Sequence, residues 1–351
     1  MKICRYATLL ALFGLSLGAS TARVVTAQRA PAASDATLKA VAAAKAFLAT
    51  LDGRQRAAVK LELNKNTRSK WSNLPNGAAG LGFLRNGIKL GDLSAAQQEA
   101  ALALVASTLS GPGYQKVMNI VNADENLERS SAPARQTGNR VRFGRAEYQI
   151  AILGEPSATE PWMIQFGGHH LAINVTVVAA QNVLTPSHTG AQPSRYSLTG
   201  QTIRPLGKEN DKGFALINAL NAAQQKQAIL NYRVADTVLG PGHDGEVIQP
   251  EGVRGSNLTA NQQALLLDLI NEWVSILNDT AALAKMAEIK SSIADIYFAW
   301  SGPTTNGDAA YFRIQGPTVE IEYAPQGGST DHIHTFYRDP TNDYGAKFIK
   351  P

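Results

Sequence analysis

Residues 161–193 read PWMIQFGGHHLAINVTVVAAQNVLTPSHTGAQP, and residues 311–345 read YFRIQGPTVEIEYAPQGGSTDHIHTFYRDPTNDYG. Both are strand-like runs punctuated by Gly and Pro turns. The first holds three of the chain's six histidines and the second holds two more. Strand alternation puts His170, Ala172, Asn174 and Thr176 on one face and His169, Leu171, Ile173, Val175 and Val177 on the other. The two adjacent histidines then point opposite ways, unless Gly167-Gly168 introduces a bulge. In the second run His332, His334, Phe336 and Arg338 share a face, and Glu320 and Glu322 share one opposite Val319, Ile321 and Tyr323.

Four segments outside these runs resemble one another. They begin at Leu51-Asp52, Leu93-Ser94, Leu220-Asn221 and Leu258-Thr259, and each carries a Gln three residues after its short polar residue. This is a helix start: the short side chain caps a free N–H of the first turn, and the Gln reaches back to the N–H of the cap. The first two starts lie 42 residues apart and the second two 38, and each pair precedes one of the strand-like regions. The spacing predicts a duplication, with both halves reading helix, helix, strand, turn, strand. The expected fold is therefore α+β: a single pseudo-duplicated domain with helical pairs packed on a mainly antiparallel sheet. Its halves span about 40–200 and 201–351. The alternative is two separate domains divided near 200.

The opening residues read differently. Lys2 and Arg5 precede an apolar run, Ala7–Ala19, and small residues follow, the pattern of a secretory signal over 1–28. Residues 29–39 are rich in Ala, Pro and Ser and read as a linker. Removal of the signal takes away Cys4, the chain's one cysteine, which excludes thiolate and zinc–cysteine chemistry. It also lowers the net charge from +5 to about +2, leaving no case for nucleic acid as a partner. Arg129–Arg145 carries five arginines and reads as a solvated loop. With no later apolar run long enough to span a bilayer, the expected location is the periplasm or the exterior.

Two imidazoles two residues apart on one strand face is an arrangement that metal sites use. His332 and His334 form the pair, His169 or His170 adds a third nitrogen, and Glu320 or Glu322 a carboxylate. Such N/O ligands without sulfur suit zinc, iron, manganese or copper and leave a position for water or substrate. His169 also fits a buried histidine bonded to a carbonyl. Arg338 fits either a clamp on an anionic substrate or an ion pair with Asp339 or Asp343. Those two aspartates are candidates to orient the histidines, while His188 and His243 sit in Gly/Pro loops. No Gly-x-Ser-x-Gly, Walker A, Gly-x-Gly-x-x-Gly or His-Glu-x-x-His motif is present.

The segments GGHHLAINVTV, TPSHTGAQP, RIQGPTVEIEY and HIHTFYRDPTNDYG, with Trp71-Ser72-Asn73-Leu74-Pro75, resemble a family catalogued as domain of unknown function 3500. The resemblance covers roughly residues 40–350. It implies one domain over nearly the whole chain and implies no activity. The family pattern has an aromatic residue where His188 stands, which sets His188 apart from a family-wide ligand set. From the residues themselves, the expected function is an exported metal-dependent enzyme, hydrolase or oxidoreductase, acting on a small or anionic substrate. The alternative is a non-catalytic periplasmic protein that binds an anionic ligand or a metal.

Overall fold

All four expected helix starts are capping boxes in the computed structural model, which describes residues 33–78, 85–135 and 141–349. Asp52, Ser94, Asn221 and Thr259 each accept from the N–H of the Gln three residues on. The glutamines do more than cap. Gln97 donates to Gln55 at 2.9 Å, and Gln224 and Gln262 exchange bonds of 2.9 and 2.8 Å. Each half thus ties one helix start to the next by a paired amide.

The first half comprises α1 (Asp35–Thr50), α2 (Gly53–Val59), β1 (Lys60–Leu61), α3 (Lys65–Arg68), β2 (Ile88–Lys89), α4 (Ala95–Thr108) and α5 (Gly111–Arg135). It continues with β3 (Gln149–Leu153), β4 (Trp162–Gly168), β5 (Leu171–Val178), β6 (Gln181–Val183) and β7 (Ser187–Ala191). A small hairpin of β8 (Tyr196–Leu198) and β9 (Gln201–Ile203) leads into the second half. That half comprises α6 (Gly207–Ala219), α7 (Ala222–Ala228), β10 (Val253–Arg254), α8 (Ala260–Val274) and α9 (Asp279–Ser291). Its strands are β11 (Tyr297–Ser301), β12 (Tyr311–Gly316), β13 (Val319–Pro325) and β14 (Ile333–Arg338).

The strands form one sheet in the order β1-β3-β4-β5-β7-β14-β13-β12-β11-β10, with β2 beside β3 and β6 beside β5. Every pair is antiparallel except β1 with β3. The order is palindromic about β7 and β14, where Thr189 faces Thr335. The register repeats as well: Gly168 closes on Leu171 between β4 and β5, and Gly316 on Val319 between β12 and β13. Gly87 and Gly252 occupy matching places with φ of +91° and +100°, and a Cβ at either would strike the carbonyl of Ile150 or Phe298. Only glycine serves at such a position. The duplication is therefore built into one continuous sheet, and the described residues cluster as one compact unit rather than two divided near 200.

Two apolar clusters fill the side of the sheet that faces the helices. One joins Phe47, Leu104 and Ile120 to Ile164, Phe166 and Ile173; the other joins Leu216, Leu269 and Trp273 to Phe298, Phe312 and Ile321. The opposite side is covered by irregular chain. There Trp71, Leu239 and Tyr344 pack on Met163, Ala172 and Phe336. This second side carries the strands' polar residues, and the site lies at one end of it.

Two expectations change. The linker expected over 29–39 is helix from Asp35 onward, because the Ser34 hydroxyl accepts from Thr37 N–H and starts α1. The Arg129–Arg145 stretch is helical as far as Arg135, since α5 extends into it, and residues 136–140 lie outside the described residues. The signal expected at 1–28 lies outside the described residues. Among the described residues no helix is long and apolar enough to cross a membrane.

Candidate metal centre

The Gly-Gly-His-His-Leu segment folds as a hairpin. Gly168 pairs with Leu171, so His169 and His170 form the two-residue turn between β4 and β5. The expectation that they point opposite ways fails for that reason: a turn, not a pleat, sets their directions. His170 takes φ +64°, a left-handed conformation unusual for a residue with a Cβ. It is held there by its N–H, which donates to Asn73 O at 3.0 Å. The two rings lie close together, their centroids 3.6 Å apart and their planes inclined at 31°.

His332 and His334 share a face as alternation predicts, and they bring their rings to the same place. Nε2 of His170 lies 2.8 Å from Nε2 of His332. One ring nitrogen from each of His169, His170 and His332 falls within 4.8 Å of the others. His334 adjoins them, its ring 4.8 Å from that of His332 and 5.2 Å from that of His170. His188 follows at 5.4 Å from His334. Five of the six histidines therefore gather in one cluster.

Two aspartates orient it, and neither Asp339 nor Asp343 is among them. Asp124 on α5 contacts Nδ1 of His169 at 2.6 Å, and its other oxygen accepts from Gly144 N–H. Asp236 contacts Nδ1 of His334 at 2.8 Å and is itself held by Thr237 N–H and Gln326. A carboxylate at Nδ1 keeps the proton there and presents Nε2 as a lone pair, the usual outer support of a metal-binding histidine. Phe143 packs on the His169 ring at 4.8 Å, and the Tyr148 hydroxyl donates to His169 O at 2.8 Å.

Burial and crowding favour the neutral form of four of the rings. Burial, then the neighbouring imidazoles, hold His170 and His188 well below the usual histidine range. Burial lowers His169 as well, against the pull of Asp124. His332 is pushed down to about 4 by burial and by His334 and His169. Burial acts to raise Asp236, but His334, Thr237 and Gln326 outweigh it and leave the carboxyl low. Neutral imidazole is the form that ligates metal. His332 is half-buried and the other four are buried, so the cluster opens to solvent at His332.

Glu320, Glu322 and Arg338 share the predicted face, and each is bonded to partners other than the histidines. In the register His334 pairs with Ala324, while Glu322 pairs with Phe336 and Glu320 with Arg338, further along the sheet. All three hold structure in place. Glu322 accepts from Val238 N–H and Leu239 N–H at 2.8 Å and from the Tyr311 hydroxyl at 2.6 Å. Glu320 accepts from Gln315 at 3.0 Å, and burial raises both carboxyls. Arg338 donates to Glu246 O at 2.7 Å and pairs with Asp343 at 2.8 Å. Asp339 pairs with Lys285 at 2.6 Å, and exposed His243 with Glu246 at 2.9 Å.

The sequence carried a signal for Asp124. It falls on the buried stripe of Val117, Ile120 and Val121, where a carboxylate needs a partner. Asp236 lies in irregular chain with no period to mark it. Set against known proteins, residues 33–346 match the family described as protein of unknown function (DUF3500). No curated protein and no solved structure matches the chain.

Proposed function

The chain belongs to the DUF3500 family, whose description names no activity, and from the site we propose an exported enzyme dependent on a divalent metal. His169, His170 and His332 hold the ion and His334 adjoins it. The observation that carries this reading is the convergence of three neutral ring nitrogens within 4.8 Å at the end of the cluster that opens to solvent. The Nδ1 contacts of Asp124 and Asp236 support it.

The fit requires a small adjustment. Zinc–nitrogen bonds of ~2.0–2.1 Å in a tetrahedron separate ligand nitrogens by roughly 3.3 Å. His170 and His332, at 2.8 Å, part slightly to admit the ion. An all-imidazole set favours zinc or copper over manganese. A metal held by three such ligands keeps a position for water and makes it a nucleophile near neutral pH. The carboxylates touching the cluster, Asp124 and Asp236, both sit on Nδ1 atoms. That arrangement commits both carboxylates to holding the rings and also favours a second reading, a binding protein that holds the metal without turnover.

Elemental analysis of the purified protein beside a His332→Ala/His334→Ala double variant tests the reading. Stoichiometric metal in the first and none in the second is expected, and the ion's identity selects hydrolytic or oxidative assays. No metal in either, after exposure to zinc, iron, manganese and copper in turn, would rule the reading out. Bound metal with no activity in any assay would favour the binding protein. Export rests on the apolar run Ala7–Ala19 and is tested by fractionating cells and sequencing the N-terminus.

A further inference from the structure

We propose that the cluster holds two metal ions, the second between His188 and His334. The proposal rests on the metal-centre reading above and adds a site to it.

Five imidazoles exceed what one ion with an open position uses, which is three. His169, His170 and His332 supply that set. His334 and His188 remain, and their placement is related. Each stands one residue before the threonine of the central pair, His188 before Thr189 and His334 before Thr335, on β7 and β14. They are diagonal neighbours on the same side of an antiparallel pair, a relation that lets long side chains meet. Their rings lie 5.4 Å apart and inclined at 62°. The axis of the duplication passes between them.

His188 supplies the second observation. It is 1% exposed, and neither ring nitrogen has a hydrogen-bond partner among the described residues. The residues beside it across the sheet are Ala172 and Phe336, whose side chains accept nothing. A neutral imidazole always carries one lone pair and one N–H, and burying these without partners is costly. Such groups are held in place where a ligand satisfies them. An ion takes the lone pair of His188 and the free Nε2 of His334. The Asp236 contact at Nδ1 already turns that Nε2 outward. Such an ion would lie beside the first, because His334 adjoins both His170 and His332. Two neighbouring ions would supply the paired Lewis acids of dinuclear hydrolytic sites.

The test is metal stoichiometry in the full chain. Wild type, His188→Phe and His188→Gln are loaded with zinc, dialysed against buffer and analysed for zinc per chain, with circular dichroism confirming the fold. Two ions in wild type and one in each folded variant is the expected result. One ion in all three proteins, or two in all three, overturns the second site and leaves the first standing. No metal in wild type, after the same loading with zinc, iron, manganese and copper in turn, overturns both.

Discussion

Thr189 and Thr335 meet hydroxyl to hydroxyl at 2.6 Å, at the point about which the strand order reverses. The pair is symmetrical in the sheet but not in its surroundings. Thr335 Oγ1 also accepts from Trp273 Nε1 at 2.9 Å, and Trp273 is buried. Thr335→Val strands that indole N–H, whereas Thr189→Val leaves it bonded. An unsatisfied buried donor costs about 1–3 kcal/mol, so Thr335→Val should lower the urea midpoint clearly and Thr189→Val less. Equal losses would mean that the Trp273 bond contributes nothing.

Glu322→Gln separates catalysis from architecture. The Glu322 carboxylate accepts from two backbone N–H groups of the covering chain and from Tyr311. An amide has one acceptor oxygen in place of two, so one of these donors loses its partner. The expected loss is about 1–3 kcal/mol of stability with metal content unchanged. Chemical denaturation and elemental analysis read the two effects. Loss of metal at unchanged stability would restore Glu322 to the site.

Asp124→Asn and Asp236→Asn probe the outer support of the rings. Each keeps the size of the side chain but removes the charge that fixes the tautomer of His169 or His334. Loss of such a partner weakens metal binding by about 10–100-fold. Competition with a chromophoric chelator measures it. Wild-type affinity in both variants would count against the metal centre.

The fold was legible where local chemistry repeats. Capping boxes at Asp52, Ser94, Asn221 and Thr259 follow from side-chain reach alone, and their spacing carries the duplication. Alternation placed His332 with His334, and Glu320 with Glu322, correctly. Alternation also misled, because it treated His169-His170 as strand when the pair is a turn. Glu320, Glu322 and Arg338 share that face but are bonded to other partners, because sharing a face says nothing about which loop lies over it. Asp236 comes from such a loop, 98 residues from its histidine, and no period links them.

Acid should destabilise the metal-free protein through four histidines of the cluster. His169, His170, His188 and His332 all lie below the ordinary value of 6.5, and His332 falls to about 4. Below 6.5 the unfolded chain binds protons that the folded rings refuse. Their stabilisation is therefore complete above pH 6.5 and is lost as pH falls toward 4 and below. Each refused proton contributes a slope of about 1.4 kcal/mol per pH unit. Burial raises Asp343 to about 7, which works the other way: its stabilisation is present in acid and lost as pH rises. The informative quantity is the difference in slope between wild type and His188→Phe across pH 6.5 to 4. A shallower slope in the variant is expected, and identical slopes would mean that His188 is not a buried neutral base.

Gly190→Ala tests whether the position of His170 is what assembles the cluster. Gly190 lies directly opposite His334 on β7. A Cβ there would lie 2.8 Å from Ile333 O, 3.1 Å from the His170 Cβ and 3.2 Å from its Cδ2. The carbonyl belongs to a paired strand and yields little, so the clash moves either that strand or the ring. Overpacking of this kind costs about 1–3 kcal/mol. If the ring moves, the 2.8 Å approach of His170 to His332 opens and the shared ion loses a ligand. The expected outcome is a folded protein whose zinc affinity falls at least tenfold, read by chelator competition. Reduced stability with undiminished affinity would show that the strand moved instead, and that the imidazoles hold their arrangement without help from the glycine.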